Sequence, residues 1–95
     1  MTTKQRIQNI KREIEWYGVR KTIAEAMVEC GKLGFEFSGH GAGFGGEDFN
    51  LVDNKKNLYI NFCDKGRSCE VMICENEIAV FIGTIGKAMK FLHNS

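Results

Sequence analysis

The sequence predicts an α+β fold with two N-terminal helices, an antiparallel β-meander of four to five strands and one C-terminal helix. Three observations carry this. Residues 47–82 break into four short runs of apolar and polar residues alternating with a period of two, the mark of half-buried strands. The flanking segments instead repeat their apolar residues every three or four positions, as amphipathic helices do. Helices grouped apart from strands in this way pack together on one face of an antiparallel sheet.

Taken in order, residues 3–17 form the first helix, with Ile7, Ile10, Ile14 and Tyr17 as its stripe and Gly18 as its stop. The rest of that segment is polar and largely basic. Thr22-Ile23-Ala24-Glu25 reads as a capping box, the threonine accepting from the backbone and the glutamate reaching back. The second helix then carries Ile23, Ala26, Met27, Cys30 and Leu33 on one side, and Gly31 and Gly34 close it. Phe35–Ser38 reads as a first strand with both phenylalanines on one face, and Gly39–Gly46 as a glycine-rich loop.

The four runs are Glu47–Asp53, Asn57–Cys63, Ser68–Cys74 and Glu77–Ile82. Two-residue loops at Asn54-Lys55, Lys65-Gly66 and Glu75-Asn76 would fix their register. Leu51 would then face Leu58, Ile60 would face Val71, and Val71 would face Val80, with Ile73 opposite Ile78 and Cys69 opposite Ile82. Every large apolar alternate falls on one side, with Val71 at its centre. A slip of one residue would turn a whole strand over. Gly83-Thr84 offers a cap for the last helix, whose stripe is Ile85, Ala88, Met89 and Leu92, with Lys87 and Lys90 toward water.

Ninety-five residues, 43% hydrophobic and 26% charged with a net charge of +1, fit one domain over residues 1–95. No apolar run approaches the roughly 18 residues of a membrane helix. The polar start Met1-Thr2-Thr3-Lys4 has no secretory character. The expectation is a cytoplasmic protein with no membrane association, and four cysteines without an export signal fit a reducing compartment.

Several chemistries are disfavoured. Gly41, Gly43 and Gly46 satisfy GxGxxG, but the dinucleotide motif needs a helix next, where its N-terminus can hold phosphate. Here a strand follows, and Glu47 and Asp48 would repel an anion. No cofactor is expected. Cys30, Cys63, Cys69 and Cys74 include no CxxC pair. The register points Cys69 inward and leaves Cys63 and Cys74 on the other face, about 20 Å apart at ~3.3 Å per residue. Free thiols and no metal follow. His40 lies near Glu47 and Asp48, a pairing that can serve acid/base chemistry. No nucleophile adjoins it in sequence, so no catalytic residue is assigned and no enzyme is expected. His93 suits the end of the last helix.

Two surfaces remain. The second face of the sheet would carry the rows Asn50–Tyr59–Met72–Ala79 and Asp48–Asn61–Glu70–Phe81. Tyr59, Met72 and Phe81 then make an apolar centre with Asn61 and Glu70 in its polar rim, the build of a protein contact. Its occupant would be a protein partner or a second copy in a homodimer, unless Trp16 or a terminus folds across it. The other surface is basic. Residues 1–21 hold six basic side chains against two acidic ones, a net +4, and Arg6, Lys11 and Arg12 could contact nucleic acid phosphates.

Size and the lack of a catalytic constellation point to a small non-enzymatic protein-binding regulator or inhibitor. Phage and mobile-element proteins that block a host enzyme or defence system, of anti-CRISPR or anti-restriction type, are of this kind, as are immunity proteins. The alternative is a nucleic-acid-binding accessory protein using the basic first helix.

Overall fold

A computed structural model describes residues 1–43 and 45–94; Phe44, inside the glycine-rich stretch, and Ser95 lie outside the described residues. The order is α1 (Thr3–Tyr17), α2 (Lys21–Leu33), β1 (Glu36–Gly43), β2 (Gly46–Asp53), β3 (Leu58–Asp64), β4 (Cys69–Glu75), β5 (Ile78–Gly83) and α3 (Ile85–His93). The five strands form one antiparallel sheet in the order β1-β2-β3-β4-β5, so the fold is α+β as expected.

α1 opens on a capping box between Thr2 and Gln5 and stops at Gly18, whose φ of 65° is left-handed. α2 departs from expectation at both ends. It begins at Lys21, because the Arg20 carbonyl already accepts from the Ala24 N–H at 2.8 Å. Thr22 therefore lies inside the helix, and the predicted Thr22–Glu25 box is not its cap. Gly31 does not close α2 either. It is buried where α1 crosses, and a Cβ there would stand 2.8 Å from Ile10 Cδ1 and 3.2 Å from Ile7 Cγ1. Gly34 ends the helix instead, with φ 119°.

The stretch expected to be a glycine-rich loop is mostly strand. β1 runs to Gly43 and pairs Gly39 with Asn50, Gly41 with Asp48 and Gly43 with Gly46, after a register shift at Ser38. Its strand signal is muted because glycine is depleted in strands and gives no alternation to read.

Next come two turns longer than expected. Residues 54–57 and 65–68 are four-residue connections closed by side chains, since Asp53 Oδ1 accepts from the Lys55 and Lys56 N–H groups and Asp64 Oδ1 from Gly66. Pairing shifts by two: Leu51 faces Ile60, Phe49 faces Phe62, Ile60 faces Ile73 and Phe62 faces Val71. A shift of two preserves the face. The inward set therefore stands, and Phe49, Leu51, Ile60, Phe62, Val71 and Ile73 are fully buried beneath Ile10, Ile23, Met27 and Leu92.

β5 is the consequential correction. Its loop is Asn76-Glu77, both at positive φ (52° and 70°), one residue later than expected, and a bulge adds Val80. Ile73 consequently faces Phe81, and Met72 faces Ile82. The strand is turned over toward its C-terminal end. Phe81 lies under α3, its ring 5.5 Å from that of Phe91. Ile78, Val80 and Ile82, expected in the core, are exposed at 68%, 44% and 61%.

One polar tie joins the helical layer to the sheet. Arg20 reaches Asp64 with Nε at 3.0 Å from Oδ2 and Nη2 at 2.9 Å from Oδ1, a two-pronged contact. Burial alone would raise the Asp64 carboxyl, but the Gly66 N–H and the Arg20 guanidinium outweigh it and hold the group below its ordinary 3.8. A carboxyl depressed in the folded state contributes stability above its unfolded pKa, and that stability is lost as pH falls through the folded one. Arg20→Ala should thus lower the melting temperature near neutral pH. The gap from the parent should close below about pH 3.8, as measured by melting over a pH series. A gap undiminished in acid would contradict the pairing.

Candidate functional site

The helices leave one face of the sheet free. Alternation places Gly39, Gly41 and Gly43 of β1 on it, then Asp48 and Asn50 of β2, and Tyr59, Asn61 and Cys63 of β3. β4 adds Glu70, Met72 and Cys74, and β5 adds Ile82. Trp16 does not cover this face. It sits on α1, 79% exposed.

The expected row geometry is corrected here. Tyr59 stands opposite Cys74, and Met72 opposite Asn61, so Tyr59 and Met72 are diagonal rather than opposed. Phe81 is on the other side of the sheet, and Ile82 takes its place beside Met72. Asn61 and Glu70 do lie on this face, with Lys65 Nζ 3.8 Å from Glu70. Ile82 was missed because its orientation turns on the one-residue bulge at Val80; the loop shift alone moves the pairing by two and keeps the face. Asn76 at the first position of the turn signals the loop, since asparagine tolerates positive φ there, but nothing in the apolar run signals the bulge.

The centre of the face is ordered by hydrogen bonds. Asn50 Oδ1 accepts from the Tyr59 hydroxyl at 2.8 Å and from Asn61 Nδ2 at 2.6 Å. Burial raises the Tyr59 phenol; the Asn61 hydrogen bond opposes this, while Asp48 and Cys74 add to it. The hydroxyl therefore remains a donor. The face's strand-paired charged side chains are acidic: Glu36 opposite Val52, Asp48 opposite Gly41 and Cys63, and Glu70 opposite Cys63.

The three glycines of β1 are not required by the backbone. None has the left-handed φ that glycine favours, and a Cβ added at any of them would meet nothing within 4 Å. They leave a strip of bare main chain beside Asp48 and Asn50.

The thiols are separate. Cys63 and Cys74 share the open face, but Cys63 faces Glu70, four residues from Cys74, or about 13 Å at ~3.3 Å per residue. That is closer than the register read from sequence implied. All four cysteines are free. Burial pushes the Cys30 thiol up to about 12, with Glu29 adding to it, and Cys69 to about 11, with Asp64 adding to it. Burial and Asp48 also raise Cys63. Thiols shifted this way are poor nucleophiles. Among the described residues no group of three or more His, Cys, Asp or Glu could hold a metal ion.

His40 and Glu47 do come together, on the helix side of the sheet. His40 Nε2 lies 2.8 Å from Glu47 Oε2, and its ring stacks on Tyr17 at 4.0 Å and leans on Phe49. Asp48 points to the opposite face. This cluster docks the end of α1 onto β1 and β2.

The basic residues of α1 are unequal. Arg6 is turned inward, with Nε 3.3 Å from the Gly31 carbonyl of α2 and further bonds to Met1 and Thr3. Arg12 bonds Asn9, and both Lys11 and Arg12 are exposed. A shallow groove between the helices is lined by Lys11, Ile14, Ala24, Glu25, Val28, Glu29 and Lys32, so its charge is mixed. His93 ends α3, 3.8 Å from Glu29. No helix among the described residues is long and apolar enough to cross a membrane. Comparisons with protein-family models, curated protein sequences and solved structures found no match.

Proposed function

We propose that this chain works by binding another protein through the helix-free face of its sheet, as a non-enzymatic regulator or inhibitor. The carrying observation is the pairing of Met72 with Ile82 on that face, beside the Tyr59 ring, where a solvated sheet would present charges. Apolar anchors inside a polar rim are how protein contacts are built. Glu36, Asp48 and Glu70 give the rim an acidic sign, which suits a partner with basic residues around an apolar centre. Occupying a basic surface of an enzyme or defence protein is the action such a face supports. The glycine strip of β1 would let the partner approach the main chain.

Binding to nucleic acid through α1 gains less support. Arg6 is engaged by α2 and Arg20 by Asp64, which leaves Lys11 and Arg12, the latter bonded to Asn9 on its own helix, as the exposed pair of the three residues Arg6, Lys11 and Arg12. Changing Arg6 would disturb the helix junction as well as the charge, so Lys11→Glu/Arg12→Glu is the cleaner control.

The experiment compares affinity capture from the source cells by the parent, by Tyr59→Ala/Met72→Ala and by the Lys11→Glu/Arg12→Glu control. A specific protein partner should be weakened more than about tenfold by the first variant at near-parent melting temperature, and retained by the second. Loss of binding with the second variant alone, or salt-sensitive nucleic acid as the captured species, would overturn the proposal. Phe81→Ala belongs to a different class, because it removes a ring packed under α3 and should lower the melting temperature instead.

A further inference from the structure

We infer that two copies of this chain associate through β5, pairing antiparallel about a two-fold axis so that the sheet runs on from one copy to the next. The inference shares Ile82 with the open-face proposal above but does not rest on it. β5 is an edge strand with one neighbour, β4. Edge strands present unpaired N–H and C=O groups, and proteins ordinarily blunt them with charge, proline, a bulge or short length. The opposite edge, β1, carries Glu36, His40 and three glycines. β5 has neither charge nor proline; no charged residue occurs from Ile78 to Gly86. The bulge at Val80 is its one irregularity, and it brings out an apolar side chain. Ile78, Val80 and Ile82 are three of the five exposed large apolar residues of the described chain.

The strand is also complementary to itself in one direction. A two-fold pairing centred between Val80 and Phe81 respects the bulge: it sets Ile82 opposite Ala79 of the second copy on the open face, Ile78 opposite its Gly83 on the helix side, and Glu77 opposite its Thr84, the cap of α3. The N-terminal end of β5 is acidic, with Glu75 and Glu77. Its C-terminal end leads into α3, whose first turn has no acidic residue and whose Lys87 is exposed. Antiparallel pairing brings the acidic end of each strand to the positive end of the other, where the helix dipole adds to Lys87. Such an isologous contact closes on itself and yields a dimer.

Sedimentation equilibrium of the full chain tests this. The parent should sediment at twice its 10.7 kDa chain mass, and Ile78→Lys/Val80→Lys at the single-chain mass with an unchanged melting temperature. Glu77→Lys and Lys87→Glu should each weaken the dimer, and the two together should restore it. A parent that stays at 10.7 kDa up to about 100 µM would overturn the inference, whatever else the edge then binds. A dimer that survives the double lysine substitution would place the contact elsewhere. Charge variants that associate like the parent would overturn the antiparallel arrangement. Failure here would leave the open-face proposal standing, because Tyr59 and Met72 are unchanged in every one of these proteins.

Discussion

Val71→Asp should unfold the protein, while Glu70→Lys at the neighbouring position should leave it folded. Val71 is fully buried, paired with Phe62 on one side and Gly83 on the other. A carboxylate there would have no cationic partner in a cluster of isoleucine, phenylalanine and leucine. Burying an unpaired charge, or forcing it to protonate, costs several kcal/mol against a total stability of about 5–15 kcal/mol. Glu70 is exposed on the opposite face, and its one ionic neighbour is Lys65 at 3.8 Å, a surface contact worth about 0–1 kcal/mol. Melting followed by circular dichroism separates the two. Equal melting temperatures would mean that β4 does not present Val71 to the helices.

The second large effect lies within the glycine-rich stretch. Gly46→Ala should destabilise severely, and Gly41→Ala should not. At Gly46 φ is 127°, and a Cβ would stand 2.1 Å from the backbone carbonyl oxygen of Asp64. Backbone cannot swing aside as a long side chain can, so the β2–β3 pairing would have to open there. Strain of this kind costs about 1–3 kcal/mol before any clash is counted, and each kcal/mol lowers the melting temperature by roughly 4–8 °C in a domain this small. Asp64 also receives Arg20, so the displacement would reach the tie between sheet and helices. Gly41 has open space above it, and alanine there restricts the unfolded chain more than the folded one. Its expected effect is within about 0.5 kcal/mol. A Gly46→Ala protein melting with the parent would contradict the close approach of the two strands.

Most of the architecture was legible in the sequence, for a definite reason. Helix stripes repeat over several turns, so Ile10, Ile23, Met27 and Leu92 declare their faces without reference to anything distant. For β2, β3 and β4 the alternation fixed the faces, and the loops were misjudged by two residues, an error the pleat forgives. β5 was misjudged by one, which the pleat does not forgive. Every residue of Ile78-Ala79-Val80-Phe81-Ile82 is apolar, so the strand itself offers no polar alternate to betray its outer side. Only the bulge at Val80 decides it, and a bulge exists only through pairing with β4. The candidate face inherited that ambiguity: Tyr59, Asn61, Glu70 and Met72 were assigned to the right side, and Phe81 stood where Ile82 belongs. Arg6 was read as free charge because the carbonyl of a glycine in another helix has no sequence signature.

The separation of charge between the layers also acts at a distance. The three helices carry eight lysines and arginines against four acidic side chains, and the five strands seven acidic side chains and no lysine or arginine. The molecule therefore carries an electric moment directed through its thickness, although its net charge is only +1. A basic partner approaching from solution feels a torque that turns the sheet toward it before any atoms touch. An acidic one is turned toward the helices. Orientation during diffusion thus discriminates between kinds of partner, ahead of and separately from whatever contacts form on docking.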